Sequence, residues 1–354
     1  MILVSSTMKA VVYHGPDNIS LDDVPVPKIT APTDAIVKVT TSTICGTDIH
    51  IQHGGVPTVQ PGTIIGHEFC GEIVELGSSV NNLKIGDKVA VSCVTYCGEC
   101  FWCLKGNYAQ CANGSWILGH LIDGCQAEFC RVPYANMSVQ KIPDGLTDED
   151  VLFVTDILST GYFGAQRGMI QNGDTVAVMG TGPVGMCALA TSKLWGPAQV
   201  IAVDGNEHRL DVCLKQGIAD VAINPMKEDA VAKIKSLTKG RGADVTIEAV
   251  GFKPTYDLAI NSVRAGGNVS LLGVFEGPQE LQMQELWIKN IYISMGLVDM
   301  NRMPQLIDLI AHKKIDMKFL QTHVKPLNDI MEGYDVFGNK KDNVLKWIVK
   351  PYVK

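Results

Sequence analysis

The amino-acid sequence predicts an α/β protein in which a β-rich first half is followed by a doubly wound parallel sheet. Three observations predict it. At 354 residues the chain exceeds what one hydrophobic core serves well, which gives two domains. The hydrophobic periodicity changes near residue 160, and a glycine-rich turn at 180–185 stands between a strand and a helix. From residue 8 to about 157, short alternating or apolar runs at 11–13, 36–40, 72–76, 88–91 and 128–132 are separated by Gly, Pro, Asn and Asp. From about 160 to 300, six apolar strand candidates follow at 175–179, 200–203, 221–224, 245–248, 268–272 and 291–295. Helical stretches at 184–194, 207–215 and 230–237 alternate with the first of them, and such alternation implies a parallel sheet covered on both faces. After about 300 only a helix candidate at 304–311 and a strand at 344–349 remain, and neither makes a domain.

Composition excludes several classes of function. The net charge of −7 disfavours a nucleic-acid partner, because phosphate binding rests on surplus Lys and Arg. No apolar run approaches the ~20 residues of a membrane span. Residues 1–7 show neither a basic nor an apolar signal region and read as a short unstructured extension before Met8. With no export signal, the eleven cysteines point to a reducing compartment, the cytoplasm, and to metal ligands or buried fillers rather than disulfides.

The strand at 175–179 runs into Gly180-Thr181-Gly182-Pro183-Val184-Gly185 and then into a helix of small residues. In that context Gly180 permits the tight turn, Gly182 lets the backbone approach a pyrophosphate, and Gly185 lets helix and strand pack closely. Pro183 and Val184 open the helix, whose N-terminal N–H groups attract phosphates. These are the marks of a Rossmann dinucleotide domain. Asp204, at the end of the second strand, can accept hydrogen bonds from both adenosine ribose hydroxyls and would repel a 2′-phosphate. The expected cofactor is therefore NAD rather than NADP. Arg209 is expected to cover the adenosine, and Val250 and Gly273 complete the candidate dinucleotide set.

Two groups of residues suggest metal. Cys97, Cys100, Cys103 and Cys111 form C-x2-C-x2-C-x7-C, which can close a tetrahedron around one structural zinc. An iron–sulfur cluster is the other use of such thiols. Gly98, Glu99 and the acidic total charge oppose a DNA-binding lobe. The second group is dispersed: Cys45, His67 and Asp156 offer a thiolate, an imidazole and a carboxylate, a mixed set that keeps a fourth zinc position open. Spacing alone favours buried structural roles for these three.

Taken together, the residues resemble the zinc-containing medium-chain alcohol dehydrogenase family over nearly the whole chain. The resemblance is carried by Cys45-Gly-Thr-Asp-Ile-His50, Gly66-His-Glu68, Gly71-Glu-Ile-Val-Glu-Leu-Gly77, Gly86-Asp-Lys-Val-Ala90, the four-cysteine lobe and the turn Gly180 to Gly185. It implies a co-chaperonin-like β-rich catalytic domain, 1–159 and 300–354, into which the Rossmann domain, 160–299, is inserted. It also implies one catalytic and one structural zinc per chain, and a homo-oligomer, tetramer or dimer.

Glu68, Asp156 and Ser115-Trp116 before Asp123-Gly124 look closest to bacterial-type secondary alcohol dehydrogenases. The chain departs from the NADP-dependent members in keeping the lobe cysteines and in carrying Asp204-Gly-Asn in place of a Gly-Ser-Arg run. The resemblance implies that Thr47 takes the alcohol proton and His50 passes it on. Asp48 is expected to orient His67, and Glu68 is either a fourth ligand or an outer carboxylate. Trp116 and Leu297 match positions that wall the substrate pocket beside Thr47. The expected activity is hydride transfer between an alcohol, preferably secondary, or its ketone and NAD. A polyol or amino-alcohol dehydrogenase, or a non-catalytic NAD-binding structural protein, are the alternatives on this scaffold.

Overall fold

In the computed structural model, which describes residues 6–352, the chain forms two compact units, Met1–Ser159 with Asp299–Lys354, and Thr160–Val298. Most of the amino-terminal extension, residues 1–5, lies outside the described residues. The first unit begins with the antiparallel pair β1 (Thr7–Gly15) and β2 (Asn18–Pro25). It continues through β3 (Ala35–Thr43), β4 (Phe69–Leu76), β5 (Lys88–Val91), β6 (Phe129–Val132) and β7 (Val139–Lys141). The second unit carries β8 (Thr175–Met179), β9 (Gln199–Val203), β10 (Val221–Ile223), β11 (Ala243–Glu248), β12 (Val263–Leu271) and β13 (Tyr292–Met295). The chain then returns to the first unit with β14 (Gln321–Pro326) and β15 (Lys346–Lys350).

The first unit's main sheet runs β14-β15-β3-β4-β5-β7, with β6 also paired to β3. Its strands bury Val37, Val39, Phe69, Ile73, Val89 and Val91 in one core. Trp347, Val349, Ile44, Ile51 and Tyr334 fill a second one beneath the helix Gly46–Gln52. The second unit's sheet is parallel in the order β10-β9-β8-β11-β12-β13, the doubly wound arrangement in which strand order reverses beside β8. Its central strands are buried on both faces, which is why they read as unbroken apolar runs. Asn206 and Asp229 cap the helices Glu207–Lys215 and Ala230–Leu237 by accepting backbone N–H bonds at 3.1 and 3.0 Å. No helix among the described residues is long and apolar enough to cross a membrane.

After residue 300 the structure holds more than one helix and one strand. β14 and the helix Ile330–Gly338 are additional. β14 is a polar edge strand ending in proline, without alternation. The helix contains Gly333 and Gly338, residues that weaken helices, and packing overrides that propensity. A Cβ on Gly333 would lie 2.5 Å from the Trp347 indole nitrogen, so the glycine allows helix and β15 to touch.

Candidate active site and metal centres

Four side chains converge in the first unit. Cys45 follows β3 in extended conformation and is the N-cap of the helix Gly46–Gln52. Asp48, in the first turn, accepts the Cys45 backbone N–H at 2.8 Å, a reciprocal cap that fixes the loop carrying the thiol. His67 and Glu68 precede β4. Gly66 before them has φ +96°, and a Cβ there would meet Gln126 Cγ at 2.5 Å. Only glycine makes that bend. Asp156 lies between the short helical turn Leu152–Thr155 and the helix Ile157–Arg167.

One ligand atom from each of Cys45, His67, Glu68 and Asp156 lies within 4.8 Å of the others. His67 Nε2 is 3.3 Å from Asp156 Oδ2, and Cys45 Sγ is 3.9 Å from the same oxygen. Zinc bonds of ~2.0–2.3 Å in a tetrahedron set ligand atoms about 3.3–3.8 Å apart; the His67–Asp156 spacing falls in that range and the Cys45–Asp156 spacing just beyond it. The opposite face of the imidazole, Nδ1, looks at Asp48 Oδ1 across 3.4 Å. Asp48 Oδ1, His67 Nδ1 and Glu68 Oε2 are all buried without a hydrogen-bond partner. Burial and the neighbouring Glu68 push the Cys45 thiol up, and burial likewise pushes the Glu68 carboxyl up. For His67, burial pulls down, but the charge of Asp48 and then the Asp156 contact outweigh it and raise the ring well above its ordinary value. A buried set this rich in anionic donors, with an orphaned carboxylate oxygen, fits a divalent cation.

Lys346 is a residue that sequence reasoning missed. Its Nζ donates to Glu68 Oε1 at 2.7 Å and to the Ile44 carbonyl at 3.0 Å, and both charged side chains are fully buried. Glu68 raises the ammonium's pKa against the pull of burial. The available signal was a lone lysine inside the apolar run of the last strand. One Glu68 oxygen is thus committed to Lys346, while the other is buried without a hydrogen-bond partner.

Thr47 Oγ1 is 3.9 Å from Cys45 Sγ. His50 sits half-buried in the last turn of the same helix. Trp116 approaches His67 edge-on with ring centroids 6.3 Å apart, and His120 stacks on Trp116 at 4.3 Å. Leu297 belongs to the other unit and is two-fifths exposed.

The lobe cysteines also meet. Cys97–Cys111 and Cys100–Cys103 sulfurs are 3.6 Å apart, while Cys97–Cys103 and Cys100–Cys111 are 4.0 Å apart. A tetrahedral thiolate zinc site has edges of about 3.8 Å. Backbone N–H groups of Cys103 and Ala112 bring Cys100 down to about 6, so it is readily a thiolate. All eleven cysteines are free of disulfides.

In the second unit Gly180 has φ +91°, and a Cβ there would strike Val250 Cγ2 at 2.2 Å. A Cβ on Gly185 would lie 1.9 Å from the Gly180 carbonyl oxygen. At Gly182, by contrast, the nearest atom to such a Cβ is Arg209 Nη1 at 3.9 Å, so the turn has an open face with a positive charge beside it. Gly182 caps the helix Pro183–Ser192, with Pro183 and Val184 in its first turn. This cradle suits a pyrophosphate. Asp204 Oδ2 accepts the Thr181 N–H at 2.6 Å, and Oδ1 accepts that of Asn206 at 2.8 Å, so the acid also braces the turn. Glu248, likewise missed, accepts the N–H groups of Val250 and Gly251 at 2.9 and 3.0 Å. A Cβ on Gly273 would collide with Gly251 and Glu248, so this loop closes on glycine.

Comparison with known proteins gives the family. Residues 31–144 match the alcohol dehydrogenase GroES-like domain, and residues 183–312 match the zinc-binding dehydrogenase domain. An alcohol dehydrogenase of Cupriavidus necator is 40% identical over 99% of this chain and 100% of its own. The apo structure of a zinc-dependent alcohol dehydrogenase of Streptococcus pneumoniae superposes with a TM-score of 0.93 at 43% identity, covering 98% of this chain and 99% of that one. A zinc-binding dehydrogenase of Sinorhizobium meliloti 1021, solved bound to NADP, gives 0.88 at 28% identity over 98% of this chain and 100% of its own. With its catalytic-type donor cluster, its thiolate lobe and its glycine turn at the head of a doubly wound sheet, the chain belongs to the zinc-containing medium-chain alcohol dehydrogenase family.

Proposed function

We propose that the protein is an alcohol dehydrogenase or ketone reductase that transfers a hydride between a secondary alcohol and NAD. The observation that carries this reading is the meeting of Cys45, His67, Glu68 and Asp156 within 4.8 Å, with Thr47 beside them. Cys45, His67 and Asp156 would hold the catalytic zinc, with Glu68 as a fourth donor, and the four lobe cysteines would hold a structural one. Zinc in the mixed site supplies Lewis acidity that favours the deprotonated alcohol at neutral pH. Thr47 Oγ1 accepts the alcohol proton, and His50 passes it toward solvent. Asp48 holds the His67 ring so that Nε2 faces the donor cluster. Trp116, edge-on to His67, offers an apolar wall, which suits simple alcohols over polyols and amino alcohols.

The glycine turn Gly180 to Gly185, with Arg209, Val250 and Gly273, binds the dinucleotide. Asp204 selects NAD: charge-assisted hydrogen bonds to the ribose diol contribute about 1.5–3 kcal/mol each, and a 2′-phosphate would meet a like charge. The preference is then roughly a hundredfold or more, at 1.4 kcal/mol per factor of ten. The working form is a homo-oligomer in the cytoplasm. This is supported by the free thiols, and by the exposed apolar Trp287, Ile288, Tyr292 and Met295 at and before the edge strand β13. The test is a panel of primary, secondary, polyhydroxy and amino alcohols with NAD and NADP. Equal kcat/KM with both cofactors would refute the Asp204 argument, and a polyol or amino-alcohol preference would refute the substrate class.

A further inference from the structure

The carboxylate that faces His67 is itself held from behind. Asp48 Oδ2 accepts from Gln126 Nε2 at 2.9 Å as well as from the Cys45 backbone. Gln126 Oε1 in turn accepts from the Tyr334 hydroxyl at 2.6 Å. Asp48 and Gln126 are fully buried and Tyr334 nearly so. The direction of every bond is fixed by chemistry. A carboxylate oxygen accepts from an amide N–H, so Gln126 presents Nε2 to Asp48 Oδ2. Its oxygen therefore points at Tyr334, and the phenol must donate. Burial, then the charge of Asp48, raise that phenol well above its ordinary value, so it keeps the proton it donates.

We propose that Gln126 and Tyr334 are positioning residues of the mixed metal centre, a polarised chain that keeps Asp48 Oδ1 on His67 Nδ1 and thereby turns His67 Nε2 to the metal. Gln126 acts on His67 from two sides. Its side chain fixes the orienting carboxylate, while its backbone N–H donates to the Ile65 carbonyl at 3.0 Å, two residues before the imidazole. Tyr334 stands on the helix Ile330–Gly338, so the chain's return segment acts on a ligand residue far from it in sequence. The proposal rests on the zinc reading of Cys45, His67, Glu68 and Asp156.

The test uses the zinc-loaded protein and follows zinc transfer to a chromogenic chelator in wild type, Tyr334→Phe, Gln126→Leu and the double variant. The four-cysteine zinc serves as the internal control in each trace. Removing an outer partner of a metal-bound histidine typically costs 10–100-fold in metal affinity or activity. One bond further out, release of one zinc should quicken about tenfold in Gln126→Leu and roughly threefold in Tyr334→Phe. The other zinc should leave at the wild-type rate. In both variants kcat should fall while the cofactor KM holds.

The double variant separates positioning from mere packing. If the pair only satisfies buried groups, removing both partners leaves nothing orphaned and restores wild-type retention. If it positions Asp48, the double variant releases zinc as fast as Gln126→Leu. Should Gln126→Leu fail to fold, the conservative Tyr334→Phe decides by the same release trace. Two zincs leaving every variant at wild-type rates, or restoration in the double, would overturn the chain alone. Wild-type protein carrying only the lobe zinc would overturn the zinc reading and this proposal with it.

Discussion

Lys346→Met should destabilise the metal-free protein severely, and bound zinc should relieve much of the damage. Among the described residues the ammonium is the one positive side chain bonded to Glu68, at 2.7 Å with neither side chain reached by solvent, so water cannot screen the loss. Removing one member of a buried pair leaves an uncompensated charge and costs about 3–5 kcal/mol. The Ile44 carbonyl also loses a donor. With a urea m-value of about 3 kcal/mol/M, at the upper end for such chains, the midpoint of the zinc-sensitive transition should fall by roughly 1–2 M. Urea titration of chelator-treated protein, followed by circular dichroism, measures it.

In zinc-loaded protein the dication offers Glu68 a second counter-charge, so the same substitution should cost less. Glu68→Met combined with Lys346→Met removes both charges and should recover most of the loss, since apolar replacement of a whole buried pair is often neutral. A metal-free Lys346→Met protein within about 0.5 kcal/mol of wild type, the range of ordinary surface changes, would refute the reasoning. So would a double variant no more stable than the single one.

The remaining expectations concern metal, proton and acid. Elemental analysis should find two zincs per chain; Cys100→Ser should lose one of them and much stability, and Cys45→Ser should abolish turnover with the fold largely kept. A single zinc in fully active protein would contradict this. Thr47→Ala should lower kcat far more than NAD affinity, and unchanged turnover between pH 6 and 9 would show that another group takes the proton. Against the upward pull of burial, Lys318, at 2.7 Å, and Thr147 hold Asp150 below its usual carboxylate range. A depressed folded-state pKa stabilises above the unfolded value of about 3.9 and ceases to do so as pH falls through the folded value. Wild type should therefore exceed Lys318→Met in stability at pH 7, with the gap closing below about pH 4. A gap that persists at pH 2 would rule out that pairing as its source.

The parts of the site that could be read from the sequence are those whose chemistry is local. The turn Gly180 to Gly185 and the run Cys97 to Cys111 carry their geometry within a few residues, since strand, turn and helix follow one another there. Cys45, His67 and Asp156 became a site only through resemblance, because each lies at the end of a different element. Lys346, Gln126 and Tyr334 escaped altogether. They look like an odd charge in a strand, a polar residue near a turn and a helix aromatic, and only tertiary pairing assigns them partners. The helix Ile330–Gly338 escaped for a different reason: its glycines argue against a helix, while close packing against Trp347 demands one of them.

The late strand β15 has a consequence for the order in which the molecule can be made. It hydrogen-bonds to β3 through Thr43 and Trp347 and delivers Lys346 to Glu68. From Asp156 to Lys346 the ribosome must add 190 residues, which takes roughly 10–40 s at 5–20 residues per second. Throughout that interval the nascent first unit holds Glu68 without its ammonium, and β3 lacks one of its neighbours. Zinc captured early by Cys45, His67 and Asp156 would neutralise Glu68 in the meantime. On the zinc reading proposed above, scarce metal should show first as aggregation of nascent chains.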